Sequence, residues 1–276
     1  MIGVFDFGSG GLAVLREFQS SMPDEEFIYL GDHMSAPYGI ATPDELYALT
    51  TQSLERLFEL GCSLVVIACN TAVAVGLKKI QDKWLPTFHP NREVIGVVEP
   101  VAATVGEVLN LLDSSEKQKR KTRNIAVFAT QYTVNSSVFV SEIHSCRPDA
   151  LIHQQICNGL AALIENGSSE ENLREMIRLF VNNLLKKIHA APDVCVLGCT
   201  HYSLVEHIWK SELPNSTRIV SQPIACARHL SRYVWSHPKH LTMTGKPARM
   251  YTTGDPRAAS ERATLFYGRK VVFEAA

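Results

Sequence analysis

The chain has 276 residues, of which 46% are hydrophobic and 20% are charged, and its formal net charge at pH 7 is −1. This length and composition provide enough apolar material for one large or two ordinary globular domains. The near-neutral charge gives no overall field that would attract nucleic acid or an anionic membrane, and no apolar stretch approaches the roughly 20 residues of a membrane-spanning helix.

Strand and helix patterns alternate along the first 98 residues. An apolar strand at residues 2–5 runs into a glycine-rich turn at residues 6–11, a helix follows, and a second strand is predicted at residues 27–30. Residues 42–45 have the pattern of a capping box with proline at the first helical position, and Gly61 is placed to end that helix. The other elements of this half are a strand that ends before Cys69, a helix to about residue 84 and a strand at residues 94–98.

The alternation continues after a hinge that we predict at Glu99 and Pro100. The elements expected beyond it are helices at residues 101–112, 136–145, 172–189 and 227–234, and strands at residues 125–129, before Cys199, and at 217–220, 250–253 and 271–273. Strands that alternate with helices predict parallel sheets. The expected fold class is therefore α/β, with two doubly wound parallel-sheet domains that share a pseudo-twofold similarity. We expect one domain at residues 1–98, completed by 212–276, the other at 99–211, and the active site in the cleft between them.

Two segments of the chain, residues 65–71 and 195–201, have nearly the same pattern. Each is an apolar run typical of a buried parallel strand, and each delivers a cysteine and a threonine to the end of that strand. Ligands bind at the carboxyl ends of strands in open α/β sheets, and a helix amino terminus there activates a thiol and binds an anion such as a carboxylate. The repeat therefore points to Cys69 and Cys199 as a functional pair, one thiol on either side of a substrate.

Cysteine usage also indicates the compartment. The chain contains seven cysteines, an odd number, and Cys69 and Cys199 lie at predicted strand ends rather than in disulfide-type loops. The first residues lack the basic start and apolar core of a signal peptide. We therefore expect a cytoplasmic protein. Four other cysteines are expected to be inert buried hydrophobes: Cys62, Cys146, Cys157 and Cys226.

The glycine-rich turn leaves one alternative open. Gly8, Gly10 and Ala13 follow a strand, and Asp32 ends the next one, which loosely matches a dinucleotide-binding fingerprint. Asp6, directly before the glycines, would place a carboxylate near the pyrophosphate. A tight turn that needs glycine for packing explains the same residues.

Two further patterns are assigned no ligand. Cys195, Cys199 and His201 could face a metal ion, but no fourth residue has the spacing of a zinc ligand, and we predict no metal. The basic run at residues 115–123 is expected to be a solvated loop, because the whole chain is nearly neutral.

Six short motifs together resemble those of the glutamate racemases, in the aspartate/glutamate racemase family. They occur in the family's order over nearly the whole chain, so the set is far more specific than any one of them. The motifs are Asp6-x-Gly8-x-Gly10-Gly11-Leu12, Pro37-Tyr38-Gly39, Ala68-Cys69-Asn70-Thr71-Ala72, Gly96-Val97-Val98-Glu99-Pro100, Leu197-Gly198-Cys199-Thr200-His201-Tyr202 and Thr252-Thr253-Gly254-Asp255.

The resemblance implies a cofactor-independent racemase that interconverts L- and D-glutamate and supplies D-glutamate for peptidoglycan. Cys69 and Cys199 would exchange the Cα proton on opposite faces, with Asp6 assisting Cys69 and His201 assisting Cys199. The partner is then a small amino acid, and a homodimer stays open. The positions implied to bind the substrate are Phe7, Tyr38, Gly39, Asn70, Thr71, Thr130, Thr133, Glu165 and Thr200.

The chain also departs from the family pattern. Phe7 stands where the family has a serine whose hydroxyl is expected to touch the substrate, and the loss of one hydrogen bond to a charged group costs about 1.5–3 kcal/mol. His33 replaces a small hydroxyl residue, Ala129 a glycine and Asn158 a proline. Three outcomes follow for Phe7: racemization in a reshaped pocket, a different amino acid such as aspartate, or a binding protein with weakened catalysis. The retained thiols and their partners favour activity.

Overall fold

The computed structural model describes residues 1–36, 38, 41–115 and 122–276. The chain divides into two compact units, Met1–Val97 with Cys226–Ala276, and Val98–Ala225. Each unit contains one sheet whose paired strands are parallel, with helices in the connections. The α/β class predicted from the sequence is confirmed.

Strands and helices alternate along the described residues. The strands are β1 (Ile2–Asp6), β2 (Phe27–Gly31), β3 (Leu64–Ile67), β4 (Glu93–Gly96), β5 (Asn124–Ala129), β6 (Leu151–Ile156), β7 (Val194–Gly198), β8 (Arg218–Val220), β9 (Arg249–Thr252) and β10 (Phe273–Ala275). The α-helices are α1 (Leu12–Ser21), α2 (Pro43–Glu59), α3 (Asn70–Lys79), α4 (Leu85–Phe88), α5 (Val98–Ser115), α6 (Gln131–Asn135), α7 (Val138–Cys146), α8 (Leu160–Glu165), α9 (Glu170–Ile188), α10 (Glu206–Glu212), α11 (Gln222–Ser236) and α12 (Pro256–Tyr267). A π-helix spans Ile80–Trp84, and 3-10 helices span Thr200–Val205 and Pro238–His240.

The sheet of the first unit has the strand order β10–β9–β2–β1–β3–β4. Strands β1, β2 and β3 are buried along their whole length, as expected for apolar strands covered on both faces. The predicted capping box begins α2: Thr42 Oγ1 accepts a hydrogen bond from Glu45 N at 3.3 Å, and Thr42 N donates to Glu45 Oε2 at 2.7 Å. Gly61 ends this helix region with φ of 97°, which favours glycine.

The sheet of the second unit has the order β6–β5–β7–β8. Its four strands thus follow the order second, first, third, fourth, and the first four strands of the other unit follow the same order. In such a sheet the connections leave in opposite directions on either side of the first strand, and ligands bind where they diverge. The loops after β1 and β3, and after β5 and β7, occupy these positions.

The structure differs from the sequence-based expectations at several places. Strand β6 was not predicted, because His153, Gln154 and Gln155 interrupt its apolar pattern at the edge of the sheet. The return to the first domain, expected at residue 212, falls after β8, which pairs with β7 and so belongs to the second sheet. The hinge expected at Glu99 and Pro100 lies in the first turn of α5, next to the division of the two units between Val97 and Val98, and proline there costs no hydrogen bond.

Candidate active site

Cys69 lies between strand β3 and helix α3, at the N-cap position of that helix. The strand is buried, whereas the cysteine is partly exposed. Asn70 and Thr71 follow in the first helical turn, where backbone N–H groups have no partner within the helix and carry partial positive charge. A thiol and a site for an anionic group therefore lie side by side at the carboxyl edge of this sheet.

Asp6 ends strand β1, next to β3, and is almost completely buried. Its Oδ1 accepts a hydrogen bond from the Gly8 backbone N–H at 2.8 Å. Gly11 approaches so closely that a Cβ atom there would lie 2.7 Å from Asp6 Cβ and 3.1 Å from Ala68 Cβ. Only glycine allows this approach, so the turn fixes the Asp6 carboxylate against the segment that leads into Cys69.

Phe7 and Tyr38 pack face to face, with ring centroids 3.9 Å apart and 16° between the ring planes. Phe7 is buried, and its ring also makes an edge contact with Phe5 at 5.4 Å between centroids. The ring that replaces the serine of the family pattern is therefore covered by Tyr38. Gly39, also predicted to bind the substrate, lies outside the described residues.

Tyr38 also lies near the acidic groups of this unit. Burial raises the pKa of the Tyr38 hydroxyl, and the nearby Asp32, Cys69 and Asp6 raise it further. Asp32 is itself held by Thr253, whose Oγ1 donates to Asp32 Oδ1 at 2.5 Å. Tyr38 therefore stays a neutral phenol, which can donate a hydrogen bond to an anionic ligand.

Cys199 follows strand β7 and caps the 3-10 helix Thr200–Val205. Its Sγ lies 3.7 Å from Nδ1 of His201, and Nε2 of the same ring lies 2.6 Å from Oε2 of Glu165, the last residue of α8. Thiol, imidazole and carboxylate thus form a continuous chain. The family resemblance implied a contact between Glu165 and the substrate, whereas in the structure the Glu165 carboxylate contacts His201.

The environment of His201 favours the imidazolium form. Burial alone lowers the pKa of His201, but the hydrogen bonds with Cys199 and Glu165 outweigh burial and raise this pKa well above its usual value. With both ring nitrogens protonated, His201 can donate one N–H to the sulfur and the other to the carboxylate. A positive charge is therefore held next to Cys199.

Three predicted threonines share the carboxyl edge of the second sheet with Cys199. Thr130 follows β5, which pairs with β7, and its Oγ1 lies 3.0 Å from Oγ1 of Thr133. Thr200 follows Cys199 directly, and both Thr133 and Thr200 are buried. The edge therefore combines the thiol with hydroxyl groups that can bind polar atoms of a ligand.

The remaining cysteines lie in different surroundings from Cys69 and Cys199. Burial raises the pKa of Cys62 to about 12. Burial also raises the pKa of Cys157, Cys195 and Cys226. Cys146, which we expected to be buried, is exposed, and its Sγ donates to the Ile143 carbonyl at 3.2 Å.

The glycine turn of this protein differs from that of a dinucleotide-binding fold. In a dinucleotide fold, backbone N–H groups of the glycine turn bind the pyrophosphate. In this turn the Gly8 N–H binds the carboxylate of Asp6, which would repel a pyrophosphate. Within the described ranges, no three His, Cys, Asp or Glu side chains cluster as ligands of a metal ion.

Asp32 and His33 were missed as site residues by the sequence analysis. Both follow β2, the neighbour of β1, and His33 Nε2 lies 3.0 Å from Ser9 Oγ in the glycine turn. Polar residues directly after a strand that borders the glycine turn are the signal that could have identified them.

In the part of the chain that the structure covers, no helix combines the length and apolarity needed to cross a bilayer.

Glutamate racemase of Roseobacter denitrificans is 39% identical over 276 residues, covering 100% of this chain and 99% of the relative. Glutamate racemase of Phenylobacterium zucineum is 38% identical over 284 residues, again covering 100% and 99%.

A solved structure and a family model agree with these relatives. The crystal structure of glutamate racemase isoform RacE1 from Bacillus anthracis matches with a TM-score of 0.85 at 28% identity, covering 100% of this chain and 97% of that one. The model of the Asp/Glu/hydantoin racemase family matches residues 12–229. This match spans most of the chain, which therefore belongs to the Asp/Glu/hydantoin racemase family.

Proposed function

We propose that the protein interconverts L- and D-glutamate without a cofactor, with Cys69 and Cys199 as its acid–base groups, and supplies D-glutamate for peptidoglycan. The observation that carries the proposal is the repeated placement of a cysteine after the third strand of a sheet with the same strand order in each unit. Glutamate as substrate is supported by full-length relatives at 38–39% identity that are glutamate racemases.

Racemization requires one proton to leave Cα and another to reach the opposite face. In the proposed reaction a thiolate at one centre takes the Cα proton, and the thiol of the other centre donates its own. The reverse reaction exchanges the two roles, so each sulfur must act as both acid and base. Thiols suit this task because their unperturbed pKa of about 8.5 lies close to neutral pH.

At the second centre, His201 and Glu165 assist Cys199. The imidazolium donates a hydrogen bond from Nδ1–H to the sulfur while the sulfur is negative. When the sulfur takes up the Cα proton, this hydrogen bond weakens and the Nδ1 hydrogen stays on the ring. Glu165 keeps the ring protonated and oriented through the 2.6 Å contact between Nε2 and Oε2. His201 therefore stabilises the base form of the thiol without itself taking the Cα proton.

At the first centre, Asp6 assists Cys69, and the amino terminus of α3 binds the substrate carboxylate. Removal of the Cα proton sends negative charge into that carboxylate, so N–H donors fixed near it stabilise the transition state more than the ground state. Asn70 and Thr71 provide such donors at the start of α3. The hydroxyl donors that we assign to other polar atoms of the substrate are Tyr38, Thr130, Thr133 and Thr200.

Chiral chromatography of L- and D-glutamate after incubation in deuterated water tests the proposal. The wild-type protein is expected to form the opposite enantiomer and to place deuterium on Cα of the product. Cys69→Ala and Cys199→Ala are each expected to abolish racemization, whereas Cys226→Ala, which removes a buried thiol, is expected to retain it. Full racemization by either single variant would contradict the two-thiol mechanism.

Phe7 favours one second candidate, an aspartate racemase. A buried ring stacked on Tyr38 stands where the family pattern has a substrate-binding hydroxyl, so the substrate contacts of the first centre differ from that pattern. The same assay with aspartate in parallel separates the two. Faster turnover of aspartate than of glutamate would replace glutamate as the substrate and leave the two-thiol chemistry in place.

A further inference from the structure

His33 connects three segments of the first unit. Its Nε2 lies 3.0 Å from Oγ of Ser9 in the glycine turn, and its Nδ1 lies 2.8 Å from Oγ1 of Thr252 at the end of β9. The same Nδ1 lies 3.1 Å from the carbonyl oxygen of Gly31 at the end of β2. Ser9 and Thr252 are buried, so these contacts are protected from competing water.

Two glycines make room for the His33 ring. A Cβ atom on Gly31 would lie 2.4 Å from Cε1 of His33, and one on Gly254 would lie 3.1 Å from its Cβ. Phe273 packs its ring against the imidazole edge to face, with 5.8 Å between centroids. The ring is therefore fixed in position by packing as well as by hydrogen bonds.

The His33 ring keeps a hydrogen-bond partner at Nδ1 in either tautomer. With the hydrogen on Nδ1, this nitrogen can donate to the Gly31 carbonyl, and without it Nδ1 can accept from the Thr252 hydroxyl. The Ser9 hydroxyl can both donate and accept, so its bond with Nε2 persists whether or not Nε2 is protonated. The connection to the glycine turn therefore does not depend on the charge of His33.

The glycine turn transmits this constraint to the first thiol. Ser9 lies between Gly8, whose N–H holds the Asp6 carboxylate, and Gly11, which packs against Asp6 and against Ala68, the residue before Cys69. We propose that His33 is a positioning residue that fixes the glycine turn and thereby holds Asp6 in place at the Cys69 centre. Its effect on turnover rests on the proposed racemase function, whereas its effect on Cys69 itself does not.

Alkylation of Cys69 by iodoacetamide, followed by peptide mass spectrometry, measures the positioning directly. In His33→Ala the loosened turn is expected to expose Cys69 and to speed its alkylation about fivefold, while Cys199 in the same sample serves as the internal reference and keeps its rate. With the racemization assay, kcat is expected to fall about tenfold and KM to change less than about threefold, because the lost contact acts on the reaction and not on binding.

Conservative variants separate the two ends of the contact. The amide of His33→Gln can reach Ser9 as Nε2 does, whereas the shorter amide of His33→Asn can replace only Nδ1. We expect the glutamine variant to restore most of both measurements and the asparagine variant to restore little. Ser9→Ala, which leaves His33 intact, is expected to reproduce the effect of His33→Ala and covers the case in which that variant does not fold.

His240→Asn is the matched control. His240 is a buried histidine of the same unit with a 3.0 Å contact between its Nδ1 and Ser63 Oγ, but Ser63 precedes β3 at the opposite edge of the sheet. His240→Asn can keep the Nδ1 contact with Ser63 and loses the 3.0 Å contact between Nε2 and Glu93 Oε2, which lies far from the turn, so it should leave Cys69 alkylation within about twofold of wild type. Unchanged Cys69 alkylation in folded His33→Ala or Ser9→Ala, or rescue by asparagine rather than glutamine, would overturn the proposal. A wild-type protein without racemization would instead refute the proposed function and leave the alkylation test valid.

Discussion

Replacement of Glu165 by glutamine removes one negative charge from His201 and keeps the size of the side chain. The bond that changes is the one of 2.6 Å between Glu165 Oε2 and His201 Nε2. A hydrogen bond between charged groups is worth about 1.5–3 kcal/mol, and 1.36 kcal/mol corresponds to one pH unit in a pKa. In Glu165→Gln only Cys199 still opposes the effect of burial, so the pKa of His201 is expected to fall.

Histidine-labelled protein observed by NMR gives this pKa, with His201→Asn to assign the signal. Turnover should also fall, by about 10- to 100-fold at pH 8, because less of the enzyme then holds an imidazolium beside the sulfur. Lower pH should restore part of it. Glu170→Gln is the matched control, since Glu170 Oε2 lies 3.9 Å from His207 Nε2 on the surface of the same unit, away from His201.

The difference in stability between the wild-type protein and Glu165→Gln should follow the protonation of His201. Because the pKa of folded His201 is raised above 6.5, its contribution to stability is complete below that pH and is lost as the pH rises through the folded pKa. Urea unfolding should therefore show the largest loss for Glu165→Gln at about pH 6, and a smaller one at higher pH. A His201 titration that stays within about 0.3 of wild type in Glu165→Gln would refute the assigned role of the carboxylate.

Three other substitutions test the first unit. Burial raises the pKa of Glu93, but hydrogen bonds, led by the one from Lys239, lower this pKa to about 2. Glu93→Gln should therefore lower the free energy of unfolding in urea by up to about 3 kcal/mol at pH 7, and this difference should disappear as the pH falls from 4.5 through 2. Gly11→Ala places a Cβ 2.7 Å from Asp6 Cβ and should lower racemization at least about tenfold by chiral chromatography; full activity would show that the turn can shift freely. Phe7→Ser removes a buried stacked ring and should cost about 3 kcal/mol in urea unfolding, whereas a loss below about 1 kcal/mol would mean that the ring is not packed as described.

The sequence predicts the fold well where its pattern reports burial directly. Strands β1, β3, β5 and β7 are continuously apolar because both faces are covered, and the capping box at Thr42 is a local interaction between residues three apart. Strand β6 escapes prediction because an edge strand needs less apolar surface. Its consecutive polar residues His153, Gln154 and Gln155 interrupt the apolar run that would signal a buried strand.

The site shows the same division. The strand-end positions of Cys69 and Cys199 follow from two apolar runs, but the contact between Glu165 and His201 joins residues 36 apart in sequence. The contact between His33 and Thr252 joins residues 219 apart. No local pattern encodes such pairs, since they depend on which strands become neighbours in a sheet. Phe7 is recognisable as unusual in the sequence, but only the structure shows the ring of Tyr38 lying on it.

The two thiols have different companions: the segment before Cys69 packs against the turn that holds the Asp6 carboxylate, whereas the Cys199 sulfur contacts an imidazole. Mirror-image amino acids have equal free energies in water, so a racemase must reach an equal mixture whatever its own asymmetry. The ratio kcat/KM is then identical in the forward and backward directions. Unequal companions can only raise or lower kcat and KM together for one enantiomer, so the protein can bind one hand more tightly but gains no net preference in the direction of conversion.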